Sequence, residues 1–292
     1  MEFQLILVVV LAVVVGIALG LLGGGGSILM VPLLTYVAGM QPKEAIAASL
    51  LVVGVTSLTG ALTHARAGNV RWRTGLVFGA AGMVGAFIGG LVGGHLPGTL
   101  LMIAFALMMV ATAATMIRGR KKSSAEGGKA RGEGLPLKRI VLDGLVVGAV
   151  TGLVGAGGGF LVVPALVLLG GLAMPAAVGT SLLVITMKSF AGLVGYLTTV
   201  SLDWALVAMV TSAAVAGSLV GARLASRVPE TALRKGFGVF VLLMGVLVLT
   251  QELPSPFGLV AVAVTAVLAG LAGVCLLAGA YCPLMPLLRP RT

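Results

Sequence analysis

Hydrophobic residues make up 59% of this 292-residue chain and charged residues only 9%, whereas charged residues are close to a quarter of an ordinary water-soluble domain. This balance indicates an integral membrane protein and excludes soluble enzyme folds, and at about 20 residues per crossing the chain has room for roughly ten or eleven spans. The net charge of +11 does not indicate nucleic acid, because about half of the 19 Lys and Arg stand in short polar connections, as the positive-inside rule predicts.

Apolar stretches of helical length follow one another and predict an all-α polytopic membrane protein. In the first half they are residues 3–22, a short stretch 27–40 after a run of glycines, 44–63, 75–94 and 98–117. In the second half they are 137–154, 160–173, 176–200, 204–224 and 231–250, and an eleventh at 257–280 has no counterpart. We predict a first transmembrane repeat at 1–117, a charged cytoplasmic linker at 118–135, a second repeat at 136–251, and an extra C-terminal helix and tail at 252–292.

The two halves are related by a shift of 132 residues. GLLGGGGSILMVPLL at 20–34 aligns with GLVGAGGGFLVVPAL at 152–166, with nine of fifteen positions identical. The same shift pairs Trp72 with Trp204 and Pro97 with Pro229. A repeat of this length indicates two homologous halves of about five helical segments each.

The charges of equivalent loops predict that the two halves have opposite orientations. The connection 64–73 carries three arginines, whereas its counterpart 196–205 carries none and has Asp203. The next pair is reversed, since 93–98 has no Lys or Arg and the matching stretch contains Arg227. Because Lys and Arg mark cytoplasmic loops, this pattern predicts inverted-topology repeats.

Consecutive glycines interrupt an apolar stretch at the same place in both halves. Irregular backbone is tolerated at membrane depth only where protein or a water-filled cavity surrounds it, and free N–H groups at a helix start favour an anion. Tight turns or packing notches between helices are the alternative. The predicted anion-binding residues of the two runs are Gly24, Gly25, Gly26, Ser27, Gly157, Gly158 and Gly159.

Lys188 is the formal charge that lies deepest in a predicted span, about midway along 176–200. An ammonium at that depth costs roughly 2.5 to 3.5 kcal/mol on insertion scales, so it needs a counter-charge, water or an anionic ligand. We expect it to bind an anion, and a lysine that snorkels to the membrane surface is the alternative. Its counterpart in the first half is Thr56, which we include in the predicted site.

Hydroxyls on the same segments are further candidate ligands: Ser49, Ser57, Ser181 and Ser189. Ser181, Lys188 and Ser189 fall on one helix face, although hydroxyls in spans also bond to their own helix carbonyls. His64 and His95 lie at predicted helix ends and receive no role. The GxxxG spacings at 85–89 and 217–221 indicate packing within the bundle or a homodimer seam. The two cysteines form neither a disulfide framework nor a CxxC metal site, and the sequence predicts no metal or cofactor.

The repeated glycine motif, the proline after it and the Trp of the later loop resemble the sulfite exporter TauE/SafE family of bacterial membrane proteins. The motif residues are Gly23, Gly25, Gly26 and Pro32 in the first half, and Gly155, Gly157, Gly158 and Pro164 in the second. The resemblance implies a secondary transporter in the bacterial inner membrane, with a small sulfur-containing anion such as sulfite, thiosulfate or an organosulfonate as substrate.

The sequence leaves several features of the mechanism open. An anion channel is one alternative to a transporter, and a non-transporting sulfur-relay or scaffold protein that uses Cys282 is another. If transport is coupled to protons, the proton travels on the substrate itself or on Lys188. Neither the direction of transport nor the oligomeric state follows from the residues.

Overall fold

A computed structural model describes residues 2–22, 25–118, 137–155, 162, 166, 172, 174–224 and 230–252 of the chain. The long helices in these ranges are α1 (Glu2–Leu22), α2 (Pro42–Arg66), α3 (Trp72–His95), α4 (Gly98–Arg118), α5 (Leu137–Val154), α6 (Met174–Leu197), α7 (Trp204–Leu224) and α8 (Glu230–Glu252). The described residues contain no strand, so the predicted all-α class is confirmed. The predicted eleventh helix at 257–280 and most of the stretch at 160–173 lie outside the described residues.

Five of the described helices are long and apolar enough to cross a membrane. Their candidate spans are Gln4–Leu21, Pro42–Arg66, Trp72–His95, Ala176–Leu197 and Trp204–Leu224. Shorter apolar helices are found at Ser27–Val37, Gly98–Ala113, Val141–Val154 and Val241–Glu252. The described part of the chain therefore has the helices of a polytopic membrane protein.

The segment after the first glycine run is short and changes helix type twice. A 3₁₀ helix at Gly25–Leu29 leads into an α-helical turn at Met30–Pro32 and a π-helical turn at Leu33–Val37. Residues 27–34 are buried, and the segment packs on α1 and α2. Because protein surrounds it, its irregular backbone is shielded from lipid.

Two pairs of helices, each with one helix from either half, pack together through glycines at positions related by the 132-residue shift. A Cβ on Gly217 or Gly221 of α7 would overlap backbone atoms of Val13 or Ile17 in α1. A Cβ on the counterparts Gly85 or Gly89 of α3 would overlap backbone of α5 at the matching positions, which begin at Leu145. Both GxxxG spacings therefore pack inside the bundle, with α7 on α1 and α3 on α5.

Helices α2 and α6 cross at the centre of the bundle. Gly54 of α2 faces Phe190 of α6, Gly60 faces Leu182, and Leu50 faces Gly192. Residue numbers rise along α2 as they fall along α6, so the two helices run antiparallel. This register brings the middle of α6 level with the middle of α2.

Candidate anion-binding site

Lys188 lies in the interior of the bundle. It is 1% exposed, 14 residues after α6 begins at Met174 and nine before it ends at Leu197. A Cβ on Gly82 of α3 would lie 3.9 Å from Cβ and Cδ of Lys188, so the lysine stem passes close to the α3 backbone. The depth and burial of Lys188 do not fit a lysine that reaches the membrane surface.

Thr151 in the last turn of α5 accepts a hydrogen bond from Lys188. Lys188 Nζ lies 3.1 Å from Thr151 Oγ1, and that hydroxyl donates to the Val147 carbonyl at 2.7 Å. An ammonium has three N–H donors, so a single hydroxyl leaves most of its hydrogen-bonding capacity to be met by other groups. The side chain is therefore anchored by one neutral group and is left with capacity to bind an anion.

No carboxylate among the described residues neutralises Lys188, whose contacts there are neutral. The acidic residue of α5 is Asp143, which lies eight residues before Thr151 and therefore about 12 Å away along the helix. A buried cation without a carboxylate partner creates a positive potential in a medium of low dielectric constant, which favours an anionic ligand.

Two equivalent serines are buried without a hydrogen-bond partner. Ser57 on α2 is 2% exposed, Ser189 on α6 is 1% exposed, and neither hydroxyl reaches a partner among the described residues. The hydroxyl of the neighbouring Thr56 is paired, because it donates to the Val52 carbonyl at 2.7 Å. A buried hydroxyl with no partner is costly, so these positions are candidates for ligand contact.

The remaining predicted hydroxyls are buried and bonded to backbone. Ser181 Oγ donates to the Val178 carbonyl at 2.8 Å. Ser49 Oγ lies 2.8 Å from the carbonyls of both Ile46 and Gly155. Ser49 thus ties α2 to the end of α5, immediately before the second glycine run.

The glycine runs are described only at their edges. Gly155 has a φ of +73°, and a Cβ there would lie 2.6 Å from Cγ2 of Ile46. A side chain at this position would therefore be strained in conformation and in contact with α2. Gly25 and Gly26 begin the 3₁₀ helix, and Ser27 is fully buried. Gly24, Gly157, Gly158 and Gly159 lie outside the described residues.

A hydroxyl-lined cavity of about 70 Å³ lies between α1, α2 and α7. Thr56, Ser57 and His64 line it from α2, Ser218 from α7, and Leu182 of α6 closes one side. His64 Nδ1 is buried without a hydrogen-bond partner in the described part of the chain.

The sequence analysis did not single out Thr151, which becomes notable only once helix packing brings it to Lys188. It gave His64 no role. The counterpart of His64 in the repeat is Tyr196, which donates to the Leu153 carbonyl. Among the described residues, no three His, Cys, Asp or Glu side chains are grouped to hold a metal ion.

These features define a polytopic helical membrane protein whose interior holds a buried lysine with no carboxylate partner and two buried hydroxyls with no partner among the described residues. Residues 8–248 match the family model described as Sulfite exporter TauE/SafE. The chain belongs to this family of membrane transporters.

Relatives in distant organisms are similar over nearly their whole length. A probable membrane transporter protein of Xylella fastidiosa (strain Temecula1) is 33% identical over 244 residues, which cover 82% of this chain and 92% of the relative. The probable membrane transporter protein YdhB of Bacillus subtilis is 29% identical over 244 residues, which cover 83% and 99%. No solved structure gives a significant match to the chain.

Proposed function

We propose that the protein is a secondary transporter that moves a small sulfur-containing anion across the bacterial inner membrane by alternating access. The observation that carries the proposal is Lys188, a lysine side chain buried among helices with a neutral hydroxyl as its partner among the described residues. An anion offsets that charge without an internal carboxylate. The choice of sulfur-containing anions rests on the family to which the chain belongs.

Inverted-topology repeats are part of this proposal. The loop charges of the sequence support them, and so does the exchange of neighbours between the halves. Helix α1 packs on α7 and its counterpart α5 packs on α3, the counterpart of α7. This reciprocal packing is what a twofold relation between the halves produces, and such repeats place the substrate between them.

The predicted site then lies where the two halves meet at α2 and α6. Ser189 follows Lys188 on α6 and its hydroxyl is buried without a partner among the described residues. The glycine runs supply backbone N–H groups from the neighbouring segments. An anion in this region meets the hydroxyl of Ser189 and the charge of Lys188.

Flux through the purified chain in proteoliposomes tests the proposal. Vesicles are assayed for uptake of radiolabelled sulfite, thiosulfate and small sulfonates, with and without a pH gradient. A transporter shows saturable uptake and counterflow, in which unlabelled anion inside accelerates entry of labelled anion. Flux without counterflow indicates a channel, and absence of flux for all the anions contradicts transport. Dependence on the pH gradient identifies proton coupling.

A further inference from the structure

We propose that the cavity between α1, α2 and α7 is a second binding site, selective for a small oxyanion, with Ser57 and His64 as its hydrogen-bond donors. The cavity lies on the α1 and α7 side of α2, whereas Lys188 extends from α6 toward α5 and α3. The two sites are therefore distinct. The inference deepens the proposed function and rests on it for the view that anions pass through this protein.

The repeat relates the cavity to the surroundings of Lys188. The cavity residues Thr56 and Leu19 are the counterparts of Lys188 and Thr151, which are hydrogen-bonded to each other. In the second half the long lysine side chain reaches from α6 to Thr151 on α5. In the first half the shorter Thr56 bonds to its own helix at the Val52 carbonyl and lines the cavity.

Two polar atoms in the cavity lack partners. Ser57 Oγ and His64 Nδ1 are both buried and unpaired in the described structure. The other hydroxyls there are committed as donors to their own helices, as Thr63 is to the Thr59 carbonyl and Ser218 is to the Val215 carbonyl. The free O–H of Ser57 and an Nδ1–H of His64, two helical turns apart on α2, are therefore available to a ligand that accepts hydrogen bonds.

The volume and the surrounding charge fit a small oxyanion. A water needs about 10 to 15 Å³ of cavity volume on this scale, so about 70 Å³ accommodates a ligand of a few heavy atoms. Of the lining residues, Thr63 and Ala222 are exposed, and the exposed Arg66 follows Thr63 by three residues on α2. Cationic side chains around a cleft raise the local concentration of anions.

His64 can report ligand binding at this site by NMR, because the chain has two histidines, His64 and His95, and one of them can be replaced. His95 is exposed at the end of α3. A His95→Gln variant purified through a tag without histidine has one imidazole. The ¹⁵N ring signals of His64 are then recorded by NMR in the full-length protein while sodium sulfite is added. Separate titrations use sodium sulfate and sodium chloride at equal ionic strength.

We expect sulfite to shift the His64 signals saturably and chloride to leave them unchanged. Ser57→Ala removes one hydrogen bond to a charged ligand and should raise the dissociation constant about ten- to a hundredfold. This variant orphans no partner, so it should fold like the parent. The matched control is Ser189→Ala, which removes the equivalent hydroxyl in the other half and should leave the His64 titration unchanged.

The outcomes separate this inference from the proposed function. If the His64 signals do not respond while the protein transports sulfite in vesicles, the cavity site is wrong and transport stands. A response to chloride equal to that for sulfite contradicts the oxyanion site, and so does an unchanged titration in Ser57→Ala. If His64 responds and Ser57→Ala weakens the response but vesicles show no flux, the site stands and the transport proposal fails.

Discussion

Replacing Lys188 by methionine should make the protein more stable and inactive. Methionine has nearly the volume of lysine and keeps the apolar stem that passes Gly82. A lysine at the centre of a span costs roughly 2.5 to 3.5 kcal/mol on insertion scales, and its hydrogen bond to Thr151 returns about 1 kcal/mol. The difference predicts a gain of about 2 kcal/mol in the free energy of unfolding.

No neighbour is left with an unpaired charge in this variant. Thr151 still donates to the Val147 carbonyl, and no described carboxylate depends on Lys188. The same substitution should weaken anion binding, although it raises stability. An ammonium and an anion about 4 Å apart attract by about 4 kcal/mol at an effective dielectric constant of 20, so anion affinity should fall by about a thousandfold.

The assay measures both quantities on the same preparation. Thermal or denaturant unfolding in detergent gives stability, and sulfite flux in proteoliposomes gives activity. Lys43→Met is the matched control, because Lys43 Nζ caps the Gly94 carbonyl at 2.9 Å near the end of the bundle. Lys43→Met also replaces one lysine by methionine, and this variant should transport sulfite like the parent. A Lys188→Met protein that transports like the parent, or one that unfolds more easily, would refute the reasoning.

Three further predictions test the packing and the topology. Gly85→Ala should lower the free energy of unfolding by about 1 to 3 kcal/mol, because its Cβ meets the Leu145 backbone, whereas Gly82→Ala on the same helix has room and should be nearly neutral in denaturant unfolding. Ser49→Ala should cost about 1 to 3 kcal/mol in the same assay by orphaning a buried carbonyl, and unchanged stability would exclude that role. Single cysteines at positions 68 and 201 should be labelled from opposite membrane faces in intact cells, and labelling from one face would end the inverted-repeat proposal.

The positions of the helices follow from hydropathy alone. The stretch predicted at 204–224 coincides with Trp204–Leu224, and that predicted at 75–94 corresponds to Trp72–His95. A span must be apolar throughout, so its ends are marked where the apolar run stops.

The family could also be predicted from the sequence, because its glycine motif occurs twice. The family model matches residues 8–248.

The partners of the site residues could not be read from the sequence. The burial of Lys188 is predictable from its depth, but its contact with Thr151 depends on how α5 and α6 pack. Threonine is common in spans, and nothing in the sequence distinguishes Thr151 from Thr186, which donates to its own helix at the Leu182 carbonyl. Which hydroxyl stays unpaired depends on side-chain rotamers, so Ser57 and Ser49 looked alike as candidates.

Side-chain size at equivalent positions explains why the halves differ around the site. Glycines of α3, including Gly75 and Gly79, pack directly on Leu183 and Met187 of α6. The counterparts of these glycines on α7 are the larger Val207 and Thr211, and α7 packs less extensively on α2 than α3 packs on α6.

The cavity lies between α1, α2 and α7. Under the proposed alternating access, the exchange between states closes the gap between α2 and α7 and opens the one between α6 and α3. Lys188 lies in the second gap and bonds to Thr151 while that gap is closed. On that proposal, opening α3 away from α6 exposes Lys188, and access to the proposed site at Lys188 is coupled to closure of the proposed cavity site.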